Sequence, residues 1–128
     1  MFVLVNESPT KEFYPMRGLR QGDPLAPFLF LVVVEGLSRL VRQAIKSNML
    51  TRVKMGRDEV DSCLLQFVDD TVFMCEDLFS NVFTLKAILR CFKLASRLKI
   101  NFHKSMMAGV NVARSNLEFH AKCLNCNL

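Results

Sequence analysis

With 128 residues, 51% of them hydrophobic and 23% charged, the chain is long enough to bury a core and too apolar for an intrinsically disordered segment. A net charge of +5 and a pI near 9.1 favour an anionic partner such as nucleic acid, although they also suit a surface that is merely well solvated. Five cysteines, an odd number with three inside apolar runs, fit reduced, buried thiols in an intracellular protein, the nucleus included, better than a disulfide framework.

Phe2 to Val5 predicts a short strand, Asn6 to Pro9 a turn, and Lys11 to Tyr14 a second strand. A strand pair opening at residue 1 reads as the inside of a larger fold. The loop from Arg17 to Pro24 then holds Gly18, Arg20, Gln21 and Gly22. Its glycines permit close backbone approach, and a basic loop ending at a helix start suits a phosphate or nucleotide. An ordinary capped loop with surface arginines would look the same. Asp23 followed by Pro24 is an N-cap with proline at the first helical position.

The helix is expected over Pro24 to about Ser47. Leu25 to Val34 is apolar on all sides and should be buried on all sides, Glu35 with it. Pro27 falls in the first turn, where its missing N–H does little harm. From Leu37 the pattern turns amphipathic through Leu40, Val41, Ala44 and Ile45, with Arg39, Arg42 and Lys46 facing away. A polar connection with a turn at Gly56 follows.

Leu64 to Cys75 is two β-prone runs around Asp69 and Asp70, a pattern for a β-hairpin with both carboxylates at the tip. Like charges side by side repel, so something should compensate. A divalent cation held by hard oxygen ligands would do so, and so would solvent around a simple turn. A second amphipathic helix is expected over about Phe79 to Leu98, burying Val82, Leu85, Leu89, Phe92 and Leu98. Lys86, Arg90, Lys93 and Arg97 share its other side, either against phosphates or as an ordinary solvated face.

Met106 to Val110 predicts a last strand, and the tail from Ala113 to Leu128 a short helix. His103 has no carboxylate nearby and is no catalytic candidate. His120, Cys123 and Cys126 have zinc-like spacing, but no second pair follows them. No signal peptide is visible at the N-terminus. The longest apolar stretch is well short of the about 20 residues that span a bilayer, so no membrane partner is expected. Strands, helix, hairpin, helix and strand in this order describe an α+β fold, with helices on one face of an antiparallel sheet and the other face open to a substrate.

Arg17-Gly-Leu-Arg-Gln-Gly-Asp-Pro-Leu-Ala-Pro-Phe-Leu-Phe30, Leu65-Gln-Phe-Val-Asp-Asp-Thr71 and Leu98-Lys-Ile-Asn-Phe-His-Lys-Ser105 resemble, in order and spacing, the reverse transcriptases of non-LTR (LINE-type) retrotransposons, especially plant ones. The resemblance implies a polymerase palm, incomplete here, with the first part of the fingers and the thumb missing. Residues 1–128 would be one partial reverse-transcriptase domain: loop and helix 15–47, catalytic hairpin 62–76, palm helix 79–98, strand and tail 99–128. It further implies RNA-directed DNA polymerisation by two-metal nucleotidyl transfer, with an RNA template, a DNA primer, a dNTP and two Mg²⁺ ions. The remaining parts of a parent polyprotein would flank the chain.

By that resemblance Asp69 matches a metal-binding aspartate and Asp70 its adjacent partner. Phe67 matches the aromatic residue before the pair. Gly18, Gln21 and Gly22 match the loop shaping the nucleotide and template site, where Arg20 adds phosphate attraction. Lys104 matches a lysine near the nucleotide phosphates, a proton donor to pyrophosphate. The family's other metal aspartate lies upstream of the loop in a segment absent here, and neither Asp23 nor Glu35 substitutes for it. Val68 and Ala26 replace the usual alanine and serine. The expectation is a catalytically silent fragment of a polymerase, the alternative a transposon remnant acting at most as a basic nucleic-acid-binding module.

Overall fold

The computed structural model describes residues 4–5, 8–9, 11, 22–53, 63–67 and 70–128. The chain divides into two compact units, Met1–Val32 and Val33–Leu128. In the first, β1 (Leu4–Val5) pairs antiparallel with β2 (Ser8–Pro9), Leu4 opposite Pro9 and Val5 opposite Ser8. Ser8 and Pro9, expected in a turn, are therefore strand. An edge strand tolerates the missing proline N–H. The second strand expected up to Tyr14 lies, after Lys11, outside the described residues.

α1 spans Leu25–Lys46. Its start follows from Asp23, whose Oδ1 accepts the Leu25 N–H at 2.9 Å while its carbonyl accepts that of Ala26 at 3.0 Å. Those bonds satisfy donors that a helix N-terminus cannot satisfy itself. The first half of α1 departs from expectation: Leu25, Phe28, Leu29, Phe30, Leu31 and Val32 are all exposed, Phe28 by 61%. Apolar residues all round a helix are buried only where partners stand on every side. The described core engages α1 through Leu37, Leu40, Val41, Ala44 and Ile45, on its second half. Glu35 is also exposed rather than buried, and accepts from Arg42 Nη2 at 3.1 Å and Arg39 Nε at 3.5 Å. After Lys46 the helix closes at Asn48 (φ 55°), with the Met49 and Leu50 N–H groups both donating to the Ala44 carbonyl.

In the second unit β3 (Leu64–Phe67) and β4 (Asp70–Phe73) form the expected antiparallel hairpin. α2 (Phe79–Ser96) and α3 (Arg114–Leu124) follow and pack on each other. Leu37, Val41, Ala44, Leu50, Cys63, Leu85 and Ile88 are the core, with Leu64, Phe73 and Phe92 packed against it. Helices thus cover one face of the hairpin, and the fold is α+β. Among the described residues no helix is long and apolar enough to cross a membrane.

α2 buries Val82 and Leu85 as its periodicity requires, half-buries Leu89 and Phe92, and leaves Leu98 exposed. It stops two residues earlier than expected because Arg97 turns left-handed (φ 58°) and donates its N–H to the Lys93 carbonyl at 3.0 Å. Arg97 therefore leaves the row of Lys86, Arg90 and Lys93. The expected strand Met106–Val110 does not form. A single parallel bridge joins Met106 to Asn127, and the chain then turns through Gly109 and the left-handed Asn111 (φ 58°) into α3. A Cβ on Gly109 would stand 2.9 Å from Val112 Cβ and 3.1 Å from Leu117 Cδ1, so glycine is needed for that close approach. α3 ends at Asn125, also left-handed (φ 60°), a stop signal that the tail's composition did not advertise.

Candidate functional site

The hairpin is built from alternation. Leu64 lies opposite Phe73 and Gln66 opposite Thr71, while Leu65 faces Val72 and Phe67 faces Asp70. Successive side chains in a strand point to opposite faces, so the two sets separate. Leu64 and Phe73 turn inward onto the core. Gln66, on that same face, accepts from Ser38 Oγ of α1 at 3.5 Å. Leu65, Phe67, Asp70 and Val72 share the outward face, Phe67 with 80% of its surface exposed. Phe67 closes β3 and Asp70 opens β4. Asp70 therefore stands at the tip as the first residue of β4, while Asp69 lies outside the described residues.

The base of the hairpin is clamped. The Met74 N–H donates to the Cys63 carbonyl at 2.9 Å, extending the ladder past both strands. Burial, then the neighbouring Cys63 thiol, then the Asp77 carboxylate push the Cys75 thiol up to about 11. Burial likewise raises Cys63, with Arg52 opposing. These are thiols of the core rather than nucleophiles.

Asn81, in the first turn of α2, is fully buried. Its Oδ1 accepts the Thr51 N–H at 2.9 Å, and its Nδ2 donates to the carbonyls of Glu76 at 3.0 Å and Thr51 at 3.4 Å. One amide thereby ties the exit of the hairpin to the segment leaving α1. Sequence reading passed over Asn81. The signal was present, since Asn81 precedes the buried Leu85 by four and Ile88 by seven, the spacing of one helix face.

Of the other expected site residues, Gly22 and Lys104 are among those described. Gly22 is exposed with φ +85°, and nothing lies within 4 Å of where its Cβ would be. Backbone conformation, not crowding, is what requires glycine there. Gly18, Arg20 and Gln21 lie outside the described residues. Lys104 sits exposed in a turn, its backbone N–H donating to the Asn101 carbonyl at 3.2 Å. The structure brings together Phe67 and Asp70. His120, read with Cys123 and Cys126 for its spacing, is buried with Nδ1 3.2 Å from Asp77 Oδ1. Asn116 Nδ2 donates to the other Asp77 oxygen at 3.3 Å.

Asp70 is an exposed carboxylate, the hard oxygen donor that Mg²⁺ takes. Among the described residues no three His, Cys, Asp or Glu side chains converge on one point. Asp70 fits as one ligand, and the described side chains do not complete a two-ion site.

An α+β unit whose helices back a short hairpin thus presents a carboxylate and an aromatic ring on the hairpin's open face. The reverse transcriptase (RNA-dependent DNA polymerase) family matches residues 1–119, and the chain belongs to it. It is 31% identical over 101 residues to the retrovirus-related Pol polyprotein from the type-2 retrotransposable element R2DM of Drosophila melanogaster, covering 79% of this chain and 9% of that protein. It is also 38% identical over 71 residues to an uncharacterized mitochondrial protein of Arabidopsis thaliana, covering 56% of this chain and 58% of that protein. The chain thus spans just over half the length of one relative and a small part of the other. No solved structure is matched significantly. The family resemblance drawn from the three sequence motifs is borne out.

Proposed function

We propose that this chain is the hairpin-bearing part of an RNA-directed DNA polymerase of a LINE-type retrotransposon, carrying out nucleotidyl transfer on an RNA template and a DNA primer. The observation that carries the reading is the hairpin itself. Phe67 and Asp70 stand opposite each other on its exposed face, while the inner face and base are anchored to α1 and α2. A rigid support of that kind holds charged groups in fixed positions, which reaction centres require.

In this reading Asp69 and Asp70 are carboxylate ligands at the apex, and Phe67 presents a ring to the primer or incoming nucleotide. Gly18, Arg20, Gln21 and Gly22 shape the nucleotide and template loop, and Lys104 donates a proton toward pyrophosphate. Mg²⁺, when bound, would supply charge stabilisation at the transferred phosphoryl group. Two adjacent carboxylates are too few to hold two ions, so the chain by itself does not extend a primer. Domain limits of 1–128, with the hairpin at 62–76, belong to the same proposal.

Primer extension on an RNA template with Mg²⁺ tests both parts. The chain alone should give no product, and robust extension would overturn its inactivity. In a longer active polypeptide that contains it, Asp69→Ala and Asp70→Ala should each lower turnover at least about a hundredfold. Full activity in both variants would remove the polymerase assignment of the hairpin.

A further inference from the structure

α2 carries a second surface that the hairpin does not explain. At about 100° per residue, Phe79, Phe83, Lys86, Arg90 and Lys93 fall within an arc of about 80° on the side opposite Leu85 and Ile88. They extend over about 21 Å of helix. Phe79 and Phe83 are each more than half exposed, Arg90 and Lys93 are exposed, and Lys86 is half-buried. α3 adds a third ring: Phe119, 49% exposed, meets Phe79 edge-on with centroids 5.2 Å apart.

The charge on this face is uncompensated. Phe79–Ser96 contains no acidic residue. Of the acids near the face, Asp77 is engaged with His120 and Asn116 and Glu118 with Arg114 at 3.2 Å, while the exposed Glu76 carboxylate pairs with none of the three cations. Lys86, Arg90 and Lys93 pair with no carboxylate among the described residues. Phe79 and Phe119 also pack edge-on against the buried His120, whereas Phe83, 57% exposed, stands beside the cations without such a ring contact among the described residues. Exposed rings adjoining unpaired cations are the surface that single-stranded nucleic acid recognises, with bases stacking on the rings and phosphates neutralised by the cations.

We infer that the outer face of α2, with Phe119 of α3, is a binding site for single-stranded nucleic acid, separate from the carboxylate hairpin. The inference stands whether or not the hairpin supports polymerisation. It also resolves the choice that the cation row left open in the sequence. Three cations on one ridge offer phosphate contacts, and the two rings preceding them offer stacking.

Fluorescence anisotropy of the full 128-residue chain with a short labelled oligouridine and a short labelled oligothymidine provides the test. Binding should weaken with salt, with a slope of log K against log salt near about −2 for three cations on a single strand. Phe83→Ala should weaken binding about tenfold. The double replacement Lys86→Gln and Arg90→Gln should make the slope shallower by about 1.4. These side chains lie outside the core, so the melting temperature serves as control and should not move. Lys46→Gln, an exposed cation at the end of α1, should leave affinity unchanged, whereas Phe67→Ala and Asp70→Asn report any binding at the hairpin. Loss confined to those two variants would assign binding to the hairpin and overturn the inference while sparing the proposed function. Wild-type affinity in the α2 variants, or no salt-sensitive binding to either oligonucleotide, would also overturn it. So would self-association that Phe83→Ala abolishes in the absence of oligonucleotide binding, which would make the face a protein interface. Preference for one of the two oligonucleotides would identify RNA or DNA as the natural strand.

Discussion

Asn81 bonds three backbone groups, the Thr51 N–H and the carbonyls of Thr51 and Glu76, and of these the Thr51 carbonyl also accepts the Glu76 N–H at 3.4 Å. Asn81→Ala should therefore cost about 2–4 kcal/mol in urea unfolding, since an orphaned buried donor or acceptor costs more than the bond it formed. Asn81→Asp should cost more again, because a carboxylate would face the carbonyls of Glu76 and Thr51. Gly109→Ala should cost about 1–3 kcal/mol, because the added methyl meets the branched Cβ of Val112, which cannot swing aside. Cys75 makes stability depend on alkaline pH. The unfolded thiol ionises near 9.0 and the folded one near about 11, so between those values the unfolded state gives up a proton that the folded state keeps. Stability is present in full below about pH 9, declines as pH rises toward 11, and levels beyond it. Melting temperatures across that range should trace the decline, and Cys75→Ala should make it shallower, the residue of the slope belonging to Cys63 and Cys126, both also raised.

Among the elements, the hairpin divides its stability unequally between its faces. Phe73→Ala should destabilise the second unit by about 2 kcal/mol or more, because the ring packs against the core. Phe67→Ala, removing a ring that touches little, should stay within about 0.5 kcal/mol. Equal losses in urea unfolding would contradict the alternation derived from the register. The hairpin was legible in the sequence, though not which of its faces is buried, as were both long helices, because apolar spacing and the Asp23-Pro24 start are local signals. The length of α2 was not, since its end depends on a left-handed arginine rather than on glycine. Nor was the exposure of Phe28 and its neighbours, because composition reports what a helix could bury and only tertiary partners decide what it does bury. The expected strand at Met106 failed for a related reason: Met106 to Val110 has strand-like residues but just one bridging partner.

At the scale of the whole molecule, the family was legible from three short motifs in order, and the match over residues 1–119 agrees with them. The candidate site was legible in part. The hairpin that sets Phe67 opposite Asp70 was readable from its two β-prone runs, whereas the outer face of α2 needed the structure, because periodicity alone cannot tell an exposed phenylalanine from a buried one. One last consequence comes from Asn127. Its N–H donates to the Ser105 carbonyl at 3.0 Å, its carbonyl accepts from Met107 at 2.8 Å, and its side chain donates to the His103 carbonyl at 2.7 Å. α3 is thereby enclosed in a ring of chain shut by its own two ends. Local opening must release both ends at once. In deuterium exchange the amides of Met107 and Asn127 should lose protection at one shared rate, and removing the Asn127 side chain should speed both by the same factor.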